Sequence, residues 1–235
     1  MINITNIEVL IDRQIKKWEV EKKAKEERKL PDKKQFLPII TVSRQRGSSG
    51  SYLAQRLAEK FNYQLVHKQV INIICNNSGY RRRIIESLDD KSKSQLESWV
   101  EGIFQGQYVD SSDYFKYLYH TIIVLAQHGG IVLVGRGGNF VLTLKTGFHI
   151  RVVAPERRRV EHIMKFANVD DETARKAIKD SDTERSNFIR RNFNHDINNP
   201  HYYDLVINTG FLDIEDAVKI AIQAINAKFN RLKQM

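Results

Sequence analysis

The chain has 235 residues, enough for one large domain or a domain with an appendage. Its 41% hydrophobic and 28% charged residues are the balance of a globular protein, not a disordered or fibrous one. Thirty-eight Lys and Arg against twenty-eight Asp and Glu give a formal charge of +10, which favours a phosphate-bearing or otherwise anionic partner. The single cysteine, Cys75, excludes an intrachain disulfide and a thiolate-built zinc knuckle, and reads as a small buried hydrophobe. No run of about 18 apolar residues is present to span a bilayer. Asp12, Arg13, Lys16 and Lys17 interrupt any secretory leader, so a cytoplasmic protein without membrane segments is expected.

Residues 1–36 differ in texture from the rest. Thr5-Asn6-Ile7-Glu8 has capping-box spacing, and Ile7, Leu10, Ile11, Ile15 and Trp18 recur at helical intervals. One helix is expected over about 6–29. Its first half would dock on its own domain or on a second subunit, and its second half would be a solvated charged rod.

From Pro38 the pattern becomes α/β. Pro38-Ile39-Ile40-Thr41-Val42-Ser43 reads as a strand buried on both faces. A Gly/Ser loop follows, then Leu53, Ala54, Leu57, Ala58 and Phe61 at helical spacing. Gln64-Leu65-Val66 is a second strand. Residues 68–128 are helical in pattern, with breaks expected near Gly79, near Asp89-Asp90 and from Gly106 to Ser112. Ile131-Val134, His149-Val153 and Asp204-Asn208 are three further strands. Helices are expected at about 156–167, at about 171–191 with Asp170 as cap, and at about 213–230. Short apolar strands alternating with helices predict a mostly parallel five-stranded sheet covered on both faces. In such sheets ligands bind beyond the carboxyl ends of the strands.

Ser43-Arg44-Gln45-Arg46-Gly47-Ser48-Ser49-Gly50-Ser51 joins the first strand to its helix. Small residues let consecutive N–H groups turn inward, and the helix adds its own unpaired N–H groups and positive dipole end. This is the setting of a phosphate cradle formed by Arg46, Gly47, Ser48, Ser49, Gly50 and Ser51. The sequence is not G-x-x-x-x-G-K-[ST], however: Gly50 stands where the lysine would be, and Ser51 is the nearest hydroxyl for a magnesium ion. A flexible Gly/Ser linker is the competing reading. Arg136, in Gly135-Arg136-Gly137-Gly138, should project at the ligand-bearing edge and suits a bidentate grip on phosphate. Asp182 and Arg185 share a helix face, followed by Arg190 and Arg191. They read either as an exposed ion pair or as an arginine-lined flap over transferring phosphate. The seven histidines show no metal-ligand spacing.

Taken in order, these segments resemble the cytidylate-kinase-like group of nucleoside monophosphate kinases, in the P-loop NTPase class. The resemblance spans about Ile39 to Ile225. It rests on Ile40-Thr41-Val42-Ser43-Arg44 with Gly47-Ser48-Ser49-Gly50, on Gly135-Arg136-Gly137-Gly138-Asn139, and on Val153-Ala154-Pro155 with Arg159. It continues through Asp182-Thr183-Glu184-Arg185 with Arg190, and Tyr203 to Thr209. It implies a three-layer P-loop fold over 37–235, with an acceptor-binding helical insertion at 67–115, a lid at 156–192 and an N-terminal helical extension over 1–36. It also implies ATP with Mg2+ as cofactors and nucleotides as substrates. Arg136, Arg185 and Arg190 would be the catalytic arginines, Arg136, Asp182 and Arg185 would hold the acceptor, and Ser51 would face the metal. The chain departs from the better-known members at Gly50, at His67 in place of an aspartate, and at Val134 in place of an acid. The competing function is a catalytically weak nucleotide-binding module that engages a partner, or a second copy of itself, through the N-terminal helix. Nucleic-acid binding has only the net charge in its favour, with no interleaved basic and aromatic motif.

Overall fold

The computed structural model describes residues 4–28, 38–88, 93–94, 96, 113–142, 144 and 147–234. In chain order these form α1 (Ile4–Arg28), β1 (Ile39–Arg44), α2 (Gly50–Phe61), β2 (Gln64–Val66), α3 (Lys68–Asn76), α4 (Ser78–Glu86) and α5 (Asp113–His128). There follow β3 (Ile131–Val134), α6 (Gly138–Val141), β4 (Gly147–Val153), α7 (Glu156–Ala167), α8 (Asp171–Phe193), a 3-10 turn at Pro200–Tyr202, β5 (Leu205–Asn208) and α9 (Ile214–Gln234). The expected breaks at Asp89-Asp90 and from Gly106 to Ser112 lie outside the described residues. Two compact units result: Met1–Leu37 with Val66–Gly129, and Pro38–Leu65 with Gly130–Met235.

In the helical unit, α1 buries Ile7, Ile11, Ile15 and Trp18. Leu10, expected on that stripe, is instead exposed along with Val9 and Val20. A 7-11-15-18 spacing already fills the buried stripe, and Leu10 falls about 100° away from Ile11. The indole of Trp18 stacks flat on the His128 ring, with centroids 4.0 Å apart. Asp12 and Glu19 pair with Arg83 at 2.5 and 3.4 Å, and Lys22 donates to the carbonyl of Glu86. The charged half of α1 is therefore attached to α4 as well as solvated. Thr5 lies inside the described helix, so the capping box expected there is not at its start. The break expected at Gly79 falls at Asn77, whose Oδ1 accepts the Tyr80 N–H and caps α4, leaving Gly79 in the first turn.

The α/β unit is built on a sheet ordered β2-β3-β1-β4-β5, with β1/β3, β1/β4 and β4/β5 parallel. Period-2 alternation sends Ile40 and Val42 of β1 and Phe148, Ile150 and Val152 of β4 to one face, against Leu53, Ala54 and Leu57 of α2 and Ala217, Val218 and Ala221 of α9. Each fully buried leucine or isoleucine there contributes about 1.5–3 kcal/mol. The opposite face carries Thr41 and Ser43 opposite His149 and Arg151 in register. Thr41 Oγ1 meets His149 Nδ1 at 2.7 Å, and Arg151 donates to Ser43 Oγ at 2.8 Å. One expectation is corrected at the edge: β5 exposes Val206, so it is not buried on both faces as the inner strands are. Parallel pairing brings the carboxyl ends of β1, β3, β4 and β5 to one rim, with β1 between β3 and β4.

Candidate active site

The loop after β1 is shaped by residues that few sequences could replace. Gly47 has φ +81°, and a Cβ there would lie 2.8 Å from the Arg159 carbonyl oxygen. Ser49, at φ 58°, occupies the left-handed region as the residue preceding α2. Ser48 is buried, and its hydroxyl donates to the carbonyls of Gln45 and Val152. Thr209, just after β5, donates to the Ser48 carbonyl at 2.9 Å. His162 of α7 places Nδ1 3.0 Å from the Gly47 carbonyl and 3.3 Å from Ser49 Oγ. The main-chain N–H groups of Gly47, Ser49, Gly50 and Ser51 have no hydrogen-bond partner among the described residues. They form the open end of a loop that leads into a helix N-terminus.

Around this loop lies a concentration of guanidinium groups. Arg159 of α7 is buried and pairs with Asp182 of α8 at 2.5 Å. The other Asp182 oxygen accepts the main-chain N–H of Arg46 at 2.9 Å and lies 3.5 Å from Arg185. Arg185 donates to the Arg44 carbonyl at 3.0 Å. Arg44 extends from the end of β1 with Nε 3.5 Å from Ser51 Oγ. Arg151, buried in β4, donates to two neutral acceptors, Ser43 Oγ and Asn198 Oδ1. Burial, then the charges of Arg185 and Arg151, bring Arg44 down to about 10. Burial likewise lowers Arg151 and Arg185 from the ordinary arginine value. At about 10, Arg44 still carries its charge at neutral pH. Among the described residues, the buried Nε atoms of Arg136, Arg151 and Arg159, and Nδ2 of Asn139, have no hydrogen-bond partner. Such a set, short of carboxylates and holding spare donors, fits a multiply charged oxyanion.

The structure thus joins Arg46, Asp182 and Arg185 in one hydrogen-bonded group with Arg159, beside Gly47 and Ser48 of the same loop. Asp182 and Arg185 are part-buried rather than an exposed i,i+3 pair, and Asp182 engages the loop and Arg159 more closely than it engages Arg185. Arg136, at φ 56°, lies with its guanidinium over the Phe188 ring, 5.1 Å from the centroid. Arg190 is exposed. Ser51 is exposed with an arginine beside it, and the described residues contain no group of three or more His, Cys, Asp or Glu able to hold a metal. One hydroxyl next to a guanidinium does not make a protein-built magnesium site.

On the other side of the loop a cleft of about 340 Å³ is lined by Gly47, Ser49, Arg158, His162, Thr209 and Gly210, among others. Arg158 lies over the exposed Phe211 ring at 5.6 Å, and the Phe166 and His162 rings stand nearly perpendicular to each other. From the sequence, Arg151, His162 and Phe211 carry no assigned role, Arg158 stands only as one of the run Arg157-Arg158-Arg159, and Thr209 only as the end of the Tyr203–Thr209 segment. No local motif marks them, and only the β4–α7 and β5–α9 connections bring them to the loop.

A parallel sheet with a small-residue loop between its central strand and an adjoining helix, faced by arginines from two later helices, defines the P-loop kinase type of α/β protein. Residues 39–210 match the model of the cytidylate kinase-like family, and the chain belongs to that family. It is thereby a kinase-like, nucleotide-binding protein of the phosphotransferase class. It is 25% identical over 191 residues to a cytidylate kinase of Methanocaldococcus jannaschii, a match covering 80% of this chain and 97% of that one. A stretch of 108 residues, 46% of the chain, is 30% identical to 21% of a uronate isomerase of Corynebacterium glutamicum, too small a share to carry that protein's activity over. Among solved structures, an uncharacterized protein from Eubacterium ventriosum superposes with a TM-score of 0.64 at 19% identity, over 81% of this chain and 98% of that one, which shows a shared fold. No helix among the described residues is long and apolar enough to cross a membrane.

Proposed function

We propose that the protein transfers the terminal phosphoryl group of ATP to a nucleoside monophosphate. An acceptor phosphate oxygen forms a bond to the γ-phosphorus, the bond to the bridging β–γ oxygen breaks, and ADP leaves. Such a reaction needs positioning and charge neutralisation more than covalent chemistry from the protein. The observation that carries this reading is the gathering of Arg44, Arg151, Arg159 and Arg185 about the loop, where Asp182 pairs with Arg159 and stands beside Arg185.

On this reading the donor's phosphates take the free N–H groups of residues 47–51, and its base lies in the cleft beside Arg158 and Phe211. Arg136, Arg185 and Arg190 neutralise charge on the acceptor side. Asp182 positions Arg159 and the lid helix α8, and the 67–115 insertion holds the acceptor nucleoside. The name carried by the archaeal relative makes CMP the first acceptor to test. ADP formation should depend on added acceptor, measured across a panel of nucleoside monophosphates. Nucleotide binding with no acceptor-dependent ADP for any of them would overturn the reading in favour of a non-catalytic nucleotide-binding module.

A further inference from the structure

We propose that Arg44 supplies to the bound phosphates the positive charge that lysine supplies in G-x-x-x-x-G-K-[ST] loops. The proposal rests on the phosphoryl-transfer reading of the site. With α2 beginning at Gly50, and Ser51 in the hydroxyl position, the pattern's lysine falls on Gly50 and its first glycine falls on Arg44. The residue types at the two ends of the loop are exchanged. Where a small residue is customary there is a long cation, and where the cation is customary there is no side chain.

The geometry shows why the exchange must be concerted. A Cβ on Gly50 would lie 2.5 Å from Arg44 Cβ, 3.2 Å from Arg44 Cγ and 3.0 Å from Val152 Cβ. The first of these is a backbone-proximal carbon that cannot swing aside as a side-chain tip can. The stem of Arg44 therefore fills the volume that any side chain at position 50 would need. Its guanidinium reaches onward, with Nε 3.5 Å from Ser51 Oγ and one terminal nitrogen 3.0 Å from where a Cβ on Gly135 would stand. It therefore lies between the start of α2 and the Gly135-Arg136 turn.

No carboxylate pairs with Arg44 among the described residues, and its charged neighbours Arg185 and Arg151 are of like sign. An arginine kept only to plug space over a glycine would gain from a paired acid or from an uncharged side chain of equal length. A cation held among cations gains from an anion that arrives.

Arg44→Met keeps most of the stem and removes the charge. Its melting temperature should stay within a few degrees of the parent. Its affinity for inorganic tripolyphosphate by calorimetry should fall at least tenfold, and acceptor-dependent ADP formation at least a hundredfold. Gly50→Lys alone should lose activity, since the new side chain meets Arg44. The pair Arg44→Gly with Gly50→Lys should recover at least tenfold over Arg44→Met, because the cation returns from the other end of the loop. A folded Arg44→Met protein with parental affinity and turnover overturns the proposal and leaves the kinase reading standing. A parent that binds tripolyphosphate through Arg44 yet turns over no acceptor overturns the kinase reading and leaves the charge assignment standing.

Discussion

The carboxylate of Asp182 accepts the main-chain N–H of Arg46 at 2.9 Å, so a side chain of α8 holds a peptide group of the loop that follows β1. The same carboxylate pairs with Arg159 of α7. One acid thus ties the loop to both helices of the 156–192 segment. Asp182→Ala leaves a buried guanidinium and a loop N–H without their acceptor, which should cost about 1–3 kcal/mol in urea unfolding. Asp182→Asn keeps an oxygen for the Arg46 N–H and loses the charge opposite Arg159. It should recover part of that stability while turnover stays at least tenfold down, and equal turnover in Asp182→Asn and the parent would show that the charge is not used.

Arg136 and Arg185 reach the rim from different elements, the β3–α6 turn and α8. Arg185 donates to the carbonyl that ends β1, and Arg136 rests on Phe188 one turn further along the same helix. If both neutralise charge on the transferring group, Arg136→Ala and Arg185→Ala should each lower turnover by about 10²–10³. Their melting curves should shift far less than for a core substitution. Losses under about tenfold would assign these arginines a structural role.

Much of the α/β unit was legible because its signals are local. The apolar run at Ile39–Val42, the small-residue loop and the 53-54-57-58 stripe each report on their own neighbourhood, and each lies where the strand–loop–helix reading put it. What stayed hidden depends on the third dimension. Leu10 looks like its neighbours on α1 until the stripe is counted around the helix. His162 and Thr209 reach the loop from about 115 and 160 residues away, a relation that no spacing rule records. Arg44 was visible only as one residue of the segment joining the first strand to its helix, since its contact with the space over Gly50 exists only in the folded chain.

Gly137 has φ +67°, and a Cβ on it would overlap the Phe193 ring at the end of α8. Gly137→Ala therefore combines a disfavoured backbone region with an overpacked aromatic contact, for an expected loss of about 2–3 kcal/mol. The shift in urea midpoint tests it. Phe193→Leu in the same background should relieve part of the loss if the ring is the obstacle, and no relief would place the whole cost in the backbone.

Trp18 is buried on α1 and stacked on His128 of α5, within the helical unit. Trp18→Ala removes that stack and opens a cavity, which should cost about 3–5 kcal/mol. Trp18→Phe keeps an aromatic face and should cost less than half as much. Equal losses for the two would mean that indole volume, not the stacked face, secures α1.

His120 on α5 has its pKa lowered by burial, the folded state resisting the charged ring. As pH falls through about 6.5, the unfolded chain takes up a proton at this position while the folded chain does not, so the unfolded state is favoured. The contribution of His120 is therefore complete above the ordinary histidine range. It is lost progressively as pH falls below about 6.5, levelling off once the folded-state pKa is passed. His120→Gln removes the proton site while retaining a polar side chain. The difference in stability between parent and variant should shrink or change sign as pH falls from about 7.5 to about 5. A difference that stays constant across that range would mean that the imidazole titrates alike in the folded and unfolded states.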